Sequence, residues 1–496
     1  MGVDSIRALE KDPKLDKYLL RCEEEKQIPG DLLEKRANLP IASHRQEILD
    51  LISKHEVILI KGDTGSGKST QVPQFILEDG INRAQGSITN VLVTQPRRIS
   101  AISLAERVRN ERGEHREKFR QDSSVGYEVR FDADKPRAYG AITYCTTGVV
   151  LQKLKTNPEL KDVSHVVIDE VHERDIYTDV LLGILFKLQN KNTKLVVMSA
   201  SMDMSAFRKY LKCPVINIKG RLFPIDEYYL EDFISNNEVQ VPKSKGPYDY
   251  ELSKYIRTYG KSKGSQLYFI ENSSPMQYSF IASGIKMIHD QDQAGAILVF
   301  LPGWEEISEV HYLLAYPETN DGQPNPLHLS NAEIHLLHSS SPLEDQMRIF
   351  EPASENMRKI VLSTNLAETS VTIEDIVFVV DCGRVNNVRY SEYHKSTALK
   401  LEWISKSSMT QRAGRAGRVQ PGKCWHLFSR KRAEAMPQFL DPSIKRLPLI
   451  DIVLVIKSLK LNVSTDEFLK TLIDTPPDSK VEDAIGKYSF DPETKS

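Results

Sequence analysis

Paired cysteines are what this sequence most plainly lacks. The five it has, Cys22, Cys145, Cys213, Cys382 and Cys424, stand singly, with no C-x-x-C spacing. That argues against a disulfide framework or a thiolate zinc site and fits a reducing compartment. A basic excess is also missing: the formal net charge is −2, so no appended basic nucleic-acid-binding module is expected, although a local basic lining remains compatible with this balance. No stretch approaches the ~18 consecutive apolar residues of a membrane-spanning helix. The start, Met1-Gly2-Val3-Asp4, has no apolar signal core, and Ile6 stands where myristoylation would need Ser or Thr. Glycine and proline, 25 of each, are too few for a collagen-like or low-complexity chain. Together these absences predict a soluble, intracellular protein with no membrane partner.

What is present is a globular pattern repeated. At 496 residues, with 40% hydrophobic and 27% charged residues, the chain has room for about three domains. Short apolar runs alternate with longer helical patterns. Val57–Ile60, Val91–Val93, Val166–Ile168 and Leu195–Met198 form one set of buried-strand candidates, and Ile297–Phe300, Ile360–Leu362 and Ile376–Val380 form another. Continuous apolar strands separated by helices are the mark of parallel sheets covered on both faces, so the fold class is α/β with two such units in tandem. Residues 1–40 are charged and helical in character. They read as an extension that either docks on the first unit or remains a solvated arm. Residues 231–290, with Lys243-Ser244-Lys245-Gly246-Pro247 and Lys261-Ser262-Lys263-Gly264, read as an irregular insertion or linker. From Leu447, the spacing of Ile450, Val453, Leu454, Ile456, Leu459 and Leu461 predicts an amphipathic helix opening a small helical domain.

Three motifs carry chemistry. Gly62-Asp63-Thr64-Gly65-Ser66-Gly67-Lys68-Ser69-Thr70 follows the first strand and can open a helix at Gln71-Val72. This is the strand–loop–helix context in which backbone amides cradle phosphates, Lys68 meets the β and γ phosphates and the Ser69 hydroxyl ligates Mg²⁺. Asp169-Glu170-Val171-His172 follows the strand Val166–Ile168. At a strand's C-terminal end, Asp169 and Glu170 can hold Mg²⁺, Glu170 can activate water, and His172 can relay nucleotide state to Ser199-Ala200-Ser201. In Gln411-Arg412-Ala413-Gly414-Arg415-Ala416-Gly417-Arg418, the arginines recur at i, i+3 and i+6. On a helix they would share a face suited to polyphosphate. Thr94-Gln95-Pro96-Arg97-Arg98 and Ser363-Thr364-Asn365 each follow a strand, where phosphate contacts would bind a nucleic-acid backbone without reading its sequence; simple structural capping reads these residues equally well.

In this order and spacing the motifs resemble the DEAH-box branch of superfamily-two RNA helicases, in particular the group around RNA helicase A. Tyr144-Cys145-Thr146-Thr147-Gly148, Phe300-Leu301-Pro302-Gly303-Trp304, Leu337-His338-Ser339 and Ser363–Ser370 add to the match, which runs from about residue 40 to 475. The resemblance implies RecA-like domains at 41–230 and 291–445 and the start of a winged-helix region at 446–496. It implies ATP, with other nucleoside triphosphates accepted, and Mg²⁺ at Lys68, Ser69, Asp169 and Glu170. It further implies that Gln411 positions water, that Arg415 and Arg418 act as arginine fingers, and that Arg107 and Phe350 sandwich the adenine. RNA, single-stranded or as a tailed duplex, would be gripped by Arg97, Arg98, Thr146, Ser339, Thr364 and Asn365. The segment 383–403 would be a β-hairpin at the strand junction, and movement would run 3′ to 5′.

The chain departs from the family in three ways. Ser201 and Ser69 stand where Thr is usual, each keeping a hydroxyl. The domains expected after residue 450 are mostly lacking, which would weaken unwinding. The expected function is therefore an ATP-dependent RNA helicase or translocase, with protein cofactors conceivable. The alternatives are an RNA-stimulated ATPase clamp that remodels ribonucleoprotein without separating strands, and a scaffold. Retention of Lys68, Glu170 and Arg418 argues against the scaffold. DNA is not excluded as the nucleic acid.

Overall fold

The computed structural model describes residues 8–114, 122–188, 193–200, 205–220, 223–236, 250–273, 276–291, 293–369, 373–391 and 393–486. Its strands, in chain order, are β1 Val57–Gly62, β2 Asn90–Gln95, β3 Val125–Val129, β4 Asp132–Asp134, β5 Ala141–Thr146, β6 His165–Ile168, β7 Lys194–Ser199 and β8 Val215–Ile218, then β9 Ile225–Tyr228, β10 Ala296–Phe300, β11 Ala332–Leu337, β12 Arg358–Ser363, β13 Ile376–Asp381, β14 Arg384–Ser391, β15 Ser396–Trp403 and β16 Gly422–His426. Two RecA-like parallel sheets result, one ordered β4-β3-β5-β2-β6-β7-β1-β8 and the other β11-β12-β10-β13-β16-β9. In the first, the short β4 alone runs antiparallel, against β3. The seven apolar runs singled out in the sequence all fall within strands. The remaining strands mix polar residues into their runs, as in the Val-Ile-Asn-Ile of β8 or the Ala-Glu-Ile-His of β11.

The chain divides into two compact units. The first comprises residues 1–221, 388–398 and 441–496, and the second residues 222–387 and 399–440. In the first unit, Leu59, Val166, Ile168 and Val197 of the sheet are fully buried against helical Leu151 and Leu181. Each such side chain contributes about 1.5–3 kcal/mol.

The C-terminal helices Ile450–Ser458, Thr465–Lys470 and Asp478–Gly486 share this core through Ile452, Val453, Ile456, Phe468 and Leu469. They are the stretch that the sequence reads as the start of a helical region. The middle helix begins with a reciprocal cap, in which Ser464 and Glu467 each accept the other's backbone N–H.

The stretch 231–290, expected to be irregular, carries helices over Tyr250–Tyr259, Lys261–Asn272 and Tyr278–His289. The lysine- and glycine-rich spelling misled because the apolar residues are sparse but periodic. Tyr255, Leu267, Phe280, Ile281, Ile285 and Ile288 are all buried in the second unit's core. β9, within the range expected of the first domain, is instead the edge strand of the second sheet. The hairpin expected between 383 and 403 is the β14–β15 pair. No helix among the described residues is long and apolar enough to cross a membrane.

Candidate functional site

The P-loop forms where β1 ends. Its apolar run is buried up to Ile60, and the chain then turns through Gly65 at φ +80° and Gly67 at φ +92°. These left-handed conformations are ones glycine adopts at little cost. The 15-residue helix Lys68–Asn82 follows at once, capped by Gly67 without a side-chain hydrogen bond, so its first-turn amides and dipole are available to an anion. Pro73 inside this helix lacks an N–H, which would orphan the Ser69 carbonyl four residues back. The buried Tyr144 hydroxyl fills that place, donating to the Ser69 oxygen at 2.8 Å.

The Lys68 ammonium donates to the carbonyls of Gly62 and Asp63 (3.1 Å to the latter) and lies 3.5 Å from Ser66 Oγ. Asp63 in turn accepts the Gly220 N–H at 2.9 Å. Gly62 ends β1, Thr64 lies in the loop, and Thr70 stands in the helix's first turn, where its hydroxyl donates to the Gly67 carbonyl at 3.3 Å.

The acidic pair sits at the end of β6, two strands along the sheet from β1. Asp169 Oδ2 accepts the Gln95 amide at 2.7 Å, from the end of β2. Its Oδ1 accepts the Glu170 N–H at 2.9 Å, and its carboxylate is also bonded by the Ser69 hydroxyl. Burial, reinforced by Glu170 alongside, pushes the Asp169 carboxyl up to about 7, against the pull of Ser69, Lys68 and Gln95. Glu170 holds φ +57°, a left-handed conformation that costs a non-glycine residue on the order of 1–2 kcal/mol. Such strain is characteristic of functional turns. His172 Nδ1 accepts the Ala200 N–H at 3.3 Å and lies 3.3 Å from Glu170 Oε2. The imidazole thus connects the acidic turn to the end of β7. Ser201, the other end of that expected relay, lies outside the described residues.

These groups fit a Mg²⁺–nucleoside triphosphate. A hydroxyl and two adjacent carboxylates are hard oxygen donors, and a divalent cation would offset both the burial of Asp169 and its repulsion by the neighbouring Glu170.

In the second unit the structure corrects one expectation. The helix Lys406–Ala413 stops before Arg415 and Arg418, so the three arginines do not share a helical face. The chain beyond is pinned by close packing: Phe223 N–H donates to the Gly417 carbonyl at 3.0 Å, and a Cβ on Gly417 would come within 2.8 Å of the Phe223 oxygen. Arg412, 1% exposed, pairs with Asp381 at 2.8 Å and Glu368 at 3.0 Å and stacks over the Phe300 ring. Arg415 is buried, donating to the Glu368 carbonyl, whereas Arg418 is half-buried. Gln411 is buried at the helix end.

The expected RNA-contact residues lie at strand ends within their own units. Arg97 follows β2 and pairs with Glu173 at 3.3 Å, while Arg98 is exposed at the start of the helix Arg98–Glu111. Thr146 ends β5 and caps the next helix. Ser339 is exposed beyond β11, and Thr364 and Asn365 begin the turn after β12. Arg107 lies in the Arg98–Glu111 helix, bonded to Glu111 at 3.0 Å. Phe350 is half-buried in the turn Arg348–Phe350.

Sequence reasoning missed Gln95, which was read only as part of a nucleic-acid motif. Its place at the end of a strand beside β6 was the available signal. It also missed Asp381 and Glu368, whose pairing with Arg412 spans 31 and 44 positions.

Residues 42–209 match the DEAD/DEAH box helicase family, and residues 280–420 match the helicase conserved C-terminal domain. The chain is 37% identical over 506 residues to the ATP-dependent DNA/RNA helicase DHX36 of Bos taurus, covering 95% of this chain and 49% of that protein. It is 40% identical over 450 residues to the ATP-dependent RNA helicase DHX30 of Gallus gallus, covering 90% and 34%. The solved Escherichia coli DEAH/RHA helicase HrpB superposes with a TM-score of 0.68 at 28% identity, covering 90% of this chain and 50% of that one. The chain spans about half the length, or less, of these curated relatives.

Proposed function

This chain belongs to the DEAD/DEAH box helicase family, and we propose that it is the motor core of an ATP-dependent RNA helicase, coupling ATP hydrolysis to 3′-to-5′ movement on RNA and to duplex or ribonucleoprotein remodelling. The observation that carries this reading is the convergence of Lys68, Ser69, Gln95, Asp169 and Glu170 at the C-terminal ends of β1, β2 and β6. In an open parallel sheet that edge is where nucleotides bind.

In turnover, the first-turn amides of the helix Lys68–Asn82 and the Lys68 ammonium bind phosphate oxygens. Ser69, Asp169 and Glu170 would hold Mg²⁺, which would neutralise charge on the phosphates. Glu170 orients and deprotonates the attacking water. Arg107 and Phe350 stack on the base, a contact that accepts any nucleobase face. Gln411 positions water, and Arg415 and Arg418 stabilise the charge of the transferring phosphoryl group, a role worth roughly 10³–10⁵ in rate. Arg97, Arg98, Thr146, Ser339, Thr364 and Asn365 hold phosphates and 2′-hydroxyls without reading sequence.

Steady-state phosphate release with and without single-stranded RNA, with Glu170→Gln as the blank, tests the coupling. Strong RNA stimulation lost in the variant supports a motor, while an RNA-independent rate counts against it. A second reading is an RNA-stimulated clamp that does not separate strands. Displacement of a 3′-tailed RNA duplex, with 5′-tailed and DNA duplexes alongside, decides between the two and fixes polarity and sugar preference.

A further inference from the structure

The N-terminal stretch, charged enough to pass for a solvated arm, is built into the first unit. Leu19 is 1% exposed and fills a slot floored by glycine, since a Cβ on either Gly86 or Gly140 would come within 2.8 Å of it. The buried Asp16 accepts the Ser87 N–H at 2.7 Å. Beyond this anchor, the stretch reaches the P-loop in two places.

The first is beneath the loop. Ile41 N–H donates to the Ser66 carbonyl at 3.1 Å, and a Cβ on Gly67 would lie 3.0 Å from both Ile41 and Leu39. The second is beside the helix that the loop opens. Arg36 Nε donates to Gln71 Oε1 at 3.0 Å. The Gln71 amide donates to Glu111 Oε2 at 2.7 Å, where the Gln74 amide also arrives at 2.9 Å. The other oxygen of Glu111 accepts Arg107 Nε at 3.0 Å. One carboxylate, 6% exposed, therefore ties the P-loop helix to the Arg98–Glu111 helix, and Arg36 connects the N-terminal stretch to that tie.

We propose that residues 8–44 are a positioning element of the nucleotide site, acting through Arg36, Gln71 and Glu111 to fix the P-loop helix and Arg107, and thereby setting nucleotide affinity rather than the rate of the chemical step. A side-chain amide held at one end by a guanidinium and at the other by a carboxylate has one orientation. Removing Arg36 frees Gln71 to turn, and Glu111 then loses a fixed donor. The phosphate-binding amides and Arg107 respond together because both hang from that carboxylate. No group placed in the chemistry is touched.

The proposal rests on the reading of the P-loop as an ATP site, and the experiment separates the two. In the full chain, binding of a fluorescent ATP analogue, KM and kcat for ATP, and the thermal midpoint without nucleotide are measured for wild type, Arg36→Ala, Arg36→Lys and Glu111→Gln. Arg36→Ala and Glu111→Gln should weaken analogue binding and raise KM about threefold to tenfold, as loss of a buried hydrogen bond would. Their kcat should stay within about twofold, and Arg36→Lys should recover part of the affinity. Unchanged affinity in correctly folded variants, or a fall in kcat at constant KM, overturns the proposal while leaving the ATP site intact. Absence of analogue binding by wild type overturns both.

Discussion

Arg174 and Asp474 lie 300 positions apart in the sequence and 2.6 Å apart in the fold. Arg174 follows the acidic turn, bonds Asp179 at 3.0 Å as well, and gives its carbonyl to the Ser443 N–H at 3.1 Å. The C-terminal helices are thereby joined to the loop that carries Glu170 and His172. Asp474→Ala leaves Arg174 with Asp179 but removes a half-buried partner, and about 1 kcal/mol of stability should go with it. All three tryptophans, Trp304, Trp403 and Trp425, lie in the second unit. Urea unfolding should therefore show the loss in far-UV circular dichroism while the tryptophan fluorescence transition stays in place. A shift of both transitions would mean that the pair does not act on the first unit alone.

Gly67→Ala should damage nucleotide binding more than Gly65→Ala. Both positions have positive φ, but a Cβ at Gly65 meets nothing within 4 Å, whereas one at Gly67 presses on Leu39 and Ile41. The first change carries only the backbone cost of about 1–2 kcal/mol, and the second adds displacement of the floor beneath the loop. Titration of each variant with an ATP analogue should place them in that order, and equal affinities would contradict it.

The features that were legible in the sequence were those written in consecutive residues. The P-loop, the Asp169-Glu170 turn and the strands of continuous Val, Ile and Leu could each be read from a window of ten. Long-range arrangements were not. The arginine spacing of 412, 415 and 418 fits a helix, yet Gly414 and Gly417 let the chain leave it and pack on Phe223 and Ile225. The charged N-terminal stretch docks on the first unit because Glu23, Lys26 and Arg36 pair with Arg112, Glu114 and Glu78, and no local pattern announces partners that far apart. Gln95 and Glu111 look like ordinary surface residues until the sheet order places them beside the nucleotide site.

Acid should loosen that N-terminal packing. Burial opposes ionisation of Glu114, but Lys26 at 2.7 Å, Arg112 at 3.6 Å and the Ser124 hydroxyl outweigh it and hold its carboxyl at about 2 against an ordinary 4.5, with Glu23 and Arg137 the other charges nearby. A depressed carboxyl contributes stability that is present above pH 4.5 and lost as the pH falls towards 2, here on the order of 3 kcal/mol. Wild type should lose stability between about pH 4.5 and 2. Glu114→Gln, weaker at pH 7, should show a flatter dependence over the same window in urea unfolding followed by circular dichroism. Parallel curves for the two proteins would remove Glu114 as the source.

Arg412 and Arg418 belong to one motif and should fail in opposite ways. Arg412 is 1% exposed, and truncating it to Ala strands Asp381, which is fully buried and held below the usual carboxylate range by Arg412 and His426 against the effect of burial. Breaking a buried pair of this kind costs about 3–5 kcal/mol. The tryptophan fluorescence transition of the second unit should therefore move to lower urea. Arg418 is half-buried beyond the end of the helix. Arg418→Ala should leave that transition within about 0.5 kcal/mol of wild type and keep nucleotide binding, yet lower RNA-stimulated hydrolysis by roughly a thousandfold. If Arg418→Ala hydrolyses ATP normally, its assignment as a finger is wrong. If Arg412→Ala unfolds like wild type, the buried network is not what fixes the end of that helix. Because one variant is read by fluorescence and the other by phosphate release, each assignment can fail without the other.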